Sequence, residues 1–439
     1  MLKEFFAKIK RGNLSFVFSS VLSGITVGVI VFLFRSVAGF AVDLFKNVYS
    51  FGTESLFKGA VVFVFILALS FGAYYIMKFA PLSKGSGIPF SIALSGVNFK
   101  FNWFLTLVAT FVSSLVSFVA GVPFGTEGSS VQMGALCSFG WLKRFKKQEE
   151  EGAGCVIKAG AGAGFAAATG AAISGFIFSL EEMNGKIKPR QLTASFLAVI
   201  SAYGVSSVLY GVFGLNFALF HGIELEVLPF KMYFIPLIAG VICGLGAVAF
   251  TKAAVCLRKV RSTLEIPLLV QVMAVFATTF IAVIWVREAG ASGHDLIEKF
   301  LEHSGVWYTL LILIALRAAL LIFSNSVGVT GGLFVPILAL GALLGALMTS
   351  LFTLAGFNFG GYAVYFVLTA MAAFIAAANK MPITITVFTA ELFCGFENAL
   401  PVLIASLVSY GVFRLFCKKD LNEEVCEELH KNNKSPERS

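Results

Sequence analysis

Charge is scarce in this 439-residue chain. Only 13% of its residues are Asp, Glu, Lys or Arg, against about 25% in soluble domains, and no stretch of useful size has a soluble domain's composition. Cysteine is sparse too: seven residues, scattered, with no CxxC pair, which argues against a disulfide framework and against a metal site. Histidine is rarer still. His221, His294, His303 and His430 all lie outside the convincing apolar runs. GASGH at Gly290 to His294 matches the GxSG of an intramembrane serine protease, but it sits in a loop and Ser292 has no buried base. Nothing in the chain asks for a cofactor.

Apolar surface is what the chain has in quantity. It is 58% hydrophobic with a mean hydropathy of +0.89, the composition of an all-α polytopic membrane protein whose first partner is the lipid bilayer. Lys and Arg number 33 against 24 Asp and Glu, a net +9. In a soluble protein that excess would raise the question of nucleic acid. Here the basic residues cluster in short loops and at the ends, as the positive-inside rule requires, so no nucleic-acid partner is expected.

Apolar runs of spanning length, about 20 residues, begin with Leu14 to Phe45 and Leu56 to Phe79. The basic N-terminus is expected to be a cytoplasmic amphipathic lead-in over residues 1–13, since the run behind it is too long for a signal-peptide core. Basic links such as Lys143, Arg144, Lys146 and Lys147, Lys186 to Arg190, and Arg258 to Arg261 alternate with basic-poor ones such as Gly214 to Pro229, which contains Glu224 and Glu226. The expected division is a first membrane repeat over 14–213, a second over 230–416, and a short cytoplasmic helix or tail over 417–439. Both termini are expected to be cytoplasmic. A chain this small, without large soluble domains, suggests a prokaryotic inner membrane.

Two glycine-rich turns stand out. GVPFGTEGSSVQMGAL, Gly121 to Leu136, places Glu127 among glycines and hydroxyl residues, and KGSGIP precedes only a short apolar run, Phe90 to Leu94. A glycine-rich turn that opens a helix offers unpaired N–H groups and the positive end of the dipole to an anion. At membrane depth such irregular backbone is tolerated only when buried or lining a cavity. The motif repeats. Gly121 to Leu136 aligns with GVTGGLFVPILALGAL, Gly328 to Leu343, and Phe165 to Glu181 aligns in the same order with Ile375 to Glu391. Glycine-broken segments in corresponding places of two halves point to a transport site at their interface.

GSGIP at Gly85 to Pro89, GTEGSSVQ at Gly125 to Gln132 and GGLFVP at Gly331 to Pro336 resemble, in order, the signature segments of the CLC family of chloride channels and chloride/proton antiporters, and the likeness runs from about Leu14 to Phe416. The resemblance implies a homodimer of many tilted, partly half-length helices in two inverted-topology repeats, each subunit with its own anion pathway. It implies chloride binding at the Ser86 hydroxyl and the N–H groups of Leu333 and Phe334, with Gly87 and Gly128 beside them. Glu127 would be the gating glutamate that takes up a proton, and Glu182 the internal glutamate that hands it over. Glu181 is assigned to structure, in parallel with its repeat partner Glu391; salt bridges from the Glu181–Glu182 pair to Lys186 or Lys188 are the bland alternative.

Three departures from the family pattern bear on function. Thr126 stands where the family has Arg, making the outer vestibule less positive, and Ser129 replaces a Pro. The family's inner tyrosine falls near Asn422, in a polar stretch without tyrosine. The leading expectation is exchange of chloride for protons; a passive anion channel is the alternative, and a fluoride/proton antiporter disagrees with the chloride-type GSGIP.

Overall fold

The structure, a computed structural model, describes residues 2–97, 99–145, 152–183, 187–220, 222–223, 225–303 and 305–434, with side chains from Phe16. Lys146, Lys147, Lys186, His221 and Glu224 lie outside the described residues. The first half comprises α1 (Leu2–Thr53), α2 (Leu56–Phe79), α3 (Ile88–Gly96), α4 (Trp103–Val119), α5 (Glu127–Arg144), α6 (Ala153–Thr169), α7 (Ala172–Glu181) and α8 (Pro189–Val212). The second comprises α9 (Phe234–Thr263), α10 (Leu268–Trp285), α11 (His294–Glu302), α12 (Trp307–Val327), α13 (Phe334–Leu354), α14 (Val364–Ala378), α15 (Pro382–Thr389), α16 (Ala399–Phe416) and α17 (Leu421–Lys434).

Among the described residues nine helices are long and apolar enough to cross a membrane. Others are not. α3, α7 and α15 have 9, 10 and 8 residues, so at 1.5 Å per residue each covers about half of a 30 Å hydrocarbon core. Their starts are written locally. Proline occupies the first turn of α3 and of α15, where its missing N–H is no loss. The small-residue run from Lys158 to Met183 is broken at Gly170, whose φ of +75° ends α6 before α7 begins.

Glycine also sets how closely the helices approach. A methyl group at Gly134 on α5 would overlap the Gly160 carbonyl on α6, and one at Gly24 on α1 would overlap the Ala198 carbonyl on α8. Such backbone contact is how membrane helices gain packing energy without a hydrophobic driving force. The first helix is longer than the run from Leu14 to Phe45 suggested, because α1 continues without interruption to Thr53. α5 starts at Glu127 rather than at the apolar run from Val131, since Ser129 and Ser130 are buried with their hydroxyls bonded to Ser114 Oγ (2.7 Å) and to the Thr126 carbonyl (2.9 Å).

The repeat is visible in paired contacts. Glu181, at the end of α7, accepts hydrogen bonds from Ile383 N (3.0 Å), Thr384 N (2.6 Å) and Thr384 Oγ1 (2.6 Å) at the start of α15. Glu391, just past α15, accepts the equivalent three from Ile173 N (3.1 Å), Ser174 N (3.0 Å) and Ser174 Oγ (2.6 Å) at the start of α7. Each half caps the other's short helix. This is the duplicated hydrogen-bonding role expected of the two glutamates, and it stabilises because a carboxylate at a helix N-terminus satisfies orphan N–H groups and complements the dipole.

Candidate anion site

Three glycine-broken helix starts meet inside the bundle: those of α3, α5 and α13. Gly125 and Gly332 exchange two backbone hydrogen bonds, each 2.9 Å, and the Gly85 N–H donates to the Gly328 carbonyl at 3.0 Å while its own carbonyl accepts from Gly331 N at 3.2 Å. Side chains would not fit there. A Cβ on Gly128 would overlap the Ser86 carbonyl oxygen and lie 2.8 Å from Gly332 Cα. Gly87 has a φ of +84°, which glycine adopts at no steric cost.

Two cavities approach this junction from opposite sides. On the side that carries α17, a cavity of about 440 Å³ is lined by Ser86, Gly87, Asn422 and four basic residues, Lys84, Lys100, Arg258 and Arg261. On the side that carries α11, a cavity of about 740 Å³ is lined by Arg35, Thr126, Glu127, Val335 and His294. Ser86 and Glu127 therefore face different cavities across the junction. Leu333 and Phe334 are buried at the start of α13, the Phe334 ring packed against Phe165 and Phe388, and neither they nor Gly128 belongs to the lining of these two cavities.

Glu127 is the charged group at the junction. It is 2% exposed. Thr126 Oγ1 donates to its Oε1 at 2.9 Å, whereas Oε2 is buried without a hydrogen-bond partner among the described residues. A carboxylate in that condition is costly. Protonation, or exchange of the carboxylate for a mobile anion, removes the cost. Gln132 closes one edge by donating to the Leu82 carbonyl at 2.7 Å.

Glu182 is not brought to this junction. It caps α7 on the α17 side, 5% exposed, and its Oε1 accepts a hydrogen bond from Asn422 Nδ2 at 2.8 Å. Among the described residues it forms no ion pair with Lys188; Lys186, the other partner of the salt-bridge alternative, lies outside them. Asn422 is the link that the sequence placed but could not interpret: it bonds Glu182 and also lines the cavity of Ser86. Its position follows from a tightly tied start to α17. Asp420 Oδ1 accepts from Glu423 N (2.8 Å), Glu423 Oε2 accepts from Asp420 N (3.2 Å), and Lys380 Nζ holds Glu423 at 2.5 Å. Burial, then the Glu423 charge, raises Asp420 to about 7, against its hydrogen bonds and the attraction of Lys380.

Two cations within the apolar helices, one wholly buried and one half-buried, escaped sequence reasoning because each interrupts an otherwise apolar run. Arg317, in the middle of α12, is wholly buried and donates to four carbonyls: Glu288 (2.8 Å), Gly290 (2.9 Å), Ala291 (3.1 Å) and Ser292 (2.9 Å). It clamps the GASG turn, so that turn is a wall of the Glu127 cavity. The His294 ring is bonded to the Leu219 carbonyl at 2.5 Å and stacked on Phe220, which leaves it as no base for Ser292. Burial alone would lower the His294 value, but the hydrogen bonds its ring donates to Asp295 and to the Leu219 carbonyl, with the charges of Glu298 and Asp295, outweigh it and leave it raised. The second cation is Arg35, on the α1 wall of the same cavity.

Glycine-opened helix ends, a hydroxyl and a carboxylate meeting between two opposed cavities define a membrane protein that moves a small anion. The chain belongs to the voltage gated chloride channel family, the CLC family, whose model matches residues 69–414. It is 26% identical over 353 residues to the H(+)/Cl(−) exchange transporter ClcA of Cronobacter sakazakii, covering 79% of this chain and 75% of that protein. Its fold is that of a slow cyanobacterial Cl−/H+ antiporter, at a TM-score of 0.87 and 20% identity over 97% of this chain and 99% of the other. A CLC-type fluoride/proton antiporter superposes at a TM-score of 0.76 with 19% identity, covering 92% and 96% of the two chains. A eukaryotic CLC transporter superposes at 0.75 with 18% identity, covering 94% and 74%.

Proposed function

We propose that this chain is a secondary active transporter that exchanges chloride, and similar anions, for protons, and not an enzyme. One observation carries the reading: the half-satisfied carboxylate of Glu127, buried where two cavities meet at three helix starts. Chloride arriving past Ser86 is held by the Ser86 hydroxyl and by the N–H groups of Leu333 and Phe334, with the Gly87 and Gly128 backbone close by. Hydroxyl and amide dipoles grip a halide without the full charge that would trap it. Glu127 competes for the next anion position; once protonated it loses its attraction to the helix start and yields. Glu182 supplies that proton from the α17 side, oriented by Asn422.

The α17 side is then cytoplasmic, as are both termini, and the α11 side faces outward. The protein works as a homodimer in a lipid bilayer, a prokaryotic cell membrane in this reading, with the division into repeats over 14–213 and 230–416. A passive anion channel is the second reading, favoured by Asn422 in place of a tyrosine beside the Ser86 cavity. Proton movement in proteoliposomes under a chloride gradient decides between them. Uphill proton movement by the wild type, lost in Glu127→Gln, supports exchange; chloride flux with no proton movement supports the channel. Absence of any anion flux refutes both.

A further inference from the structure

The start of α5 carries Thr126 and no cation, yet the cavity over Glu127 is not without positive charge. Arg35 lines it from α1. Its Nη1 donates to the Phe217 carbonyl at 2.9 Å and, more weakly, to the Ala167 carbonyl at 3.5 Å, and its guanidinium carbon lies 5.0 Å from the Tyr210 ring centroid. Ala167 is in the last turn of α6, where exposed carbonyls favour a cation. These partners orient the guanidinium without cancelling its charge, since two are dipoles and one is a π face. Nearer the rim, charges of both signs neutralise one another: Lys46 with Asp295 at 3.1 Å, and Lys299 with Glu288 at 3.6 Å. Arg35 lies eleven residues before Lys46 on α1, about 16 Å away along the helix. Arg35 shares the lining of this one cavity with Glu127 and His294.

We infer that Arg35 is the outer anion-recruiting residue of this protein: a halide approaching or leaving the Glu127 position is drawn by a guanidinium supplied from α1 instead of from the α5 start. The inference rests on the reading of Glu127 as the gating carboxylate. It explains how Thr126 can be tolerated, because the charge lost from one wall of the cavity is present on another. A cation in a cavity with low-dielectric walls raises the local anion concentration and the on-rate.

The test is the initial rate of chloride uptake into proteoliposomes of the full chain against external chloride, for wild type, Arg35→Gln, Arg35→Lys and the double variant Arg35→Gln/Thr126→Arg. Molecules inserted with the outer face towards the bath report the change. Arg35→Gln is expected to raise their KM for chloride by roughly fivefold, the effect of one unit charge at several ångströms in a partly aqueous cavity, while the rate at saturation falls by less. Arg35→Lys keeps most of the affinity, and Thr126→Arg restores it in the double variant. An unchanged KM in Arg35→Gln overturns the inference. So does equal impairment in Arg35→Lys without rescue by Thr126→Arg, which would make Arg35 only a tie between α1 and α6. If the wild type itself shows no saturable chloride uptake, the transport reading falls and this inference with it; saturable wild-type uptake with an unaffected Arg35→Gln removes the inference alone.

Discussion

Arg317→Met removes a side chain that the fold uses as a clamp. The guanidinium sits wholly buried in α12 and gives four hydrogen bonds, between 2.8 and 3.1 Å, to the carbonyls of Glu288, Gly290, Ala291 and Ser292. Hydrogen bonds from a charged donor contribute about 1.5–3 kcal/mol each, so a simple sum reaches about 6–12 kcal/mol. Two effects reduce it. The apolar replacement no longer has to bury a charge, and Gly290, Ala291 and Ser292 border a cavity from which water can reach the freed carbonyls. A net loss of about 2–4 kcal/mol remains, from the carbonyls left without a donor where water does not reach them, each costing about 1–3 kcal/mol. The assays are thermal unfolding in detergent and hydrogen exchange of residues 287–293. Arg317→Met should lower the transition temperature by several degrees and deprotect that segment first; Arg317→Lys, with a compact ammonium in place of the fork, should fall between. A variant that melts with the wild type and keeps the segment protected refutes the clamp.

Three further outcomes follow from the same geometry. Gly128→Ala forces a methyl group onto the Ser86 carbonyl oxygen, so anion flux should drop by at least about tenfold, the equivalent of about 1.4 kcal/mol, while a Gly72→Ala control in open surroundings on α2 should transport normally. Glu181→Ala and Glu391→Ala each strip two N–H groups and a hydroxyl of their acceptor, and each should cost about 2–3 kcal/mol in thermal unfolding; a cost for one without the other would contradict the equivalence of the two halves. Asp420 titrates at about 7 when folded, above its ordinary 3.8. The folded state therefore binds the extra proton across that window, and docking of α17 should weaken as pH rises from 3.8 towards about 7 and level off above it. Hydrogen exchange of α17, corrected for intrinsic rates, should show this slope. Asp420→Asn, which keeps the N-terminal cap, should abolish it.

Much of the fold was legible because membrane spans are written in long apolar runs and the half-helices in glycine and proline. The pairing of Gly125 with Gly332 and of Glu181 with Glu391 could be read by laying one half of the sequence over the other, since duplication preserves both the turn and the cap. The positions flanking the junction were legible for the same reason: Ser86, Glu127 and Leu333 each sit at a helix start with its own motif. Arg35 and Arg317 were not. Each interrupts an apolar run by a single residue, and hydropathy averages such a residue away, although a charge inside a span is itself a signal. Nor could the sequence show what Asn422 does, because its partner Glu182 is 240 residues away and their meeting depends on how α17 folds back under α3.

The central claim is coupling of chloride to protons through Glu127. The most direct measurement is the reversal potential of purified protein in planar bilayers, with a fixed chloride gradient and a varied pH gradient. The account predicts a reversal potential that moves with the pH gradient, away from the chloride equilibrium value, and returns to that value in Glu127→Gln. A wild-type reversal potential fixed at chloride equilibrium at every pH gradient would contradict it.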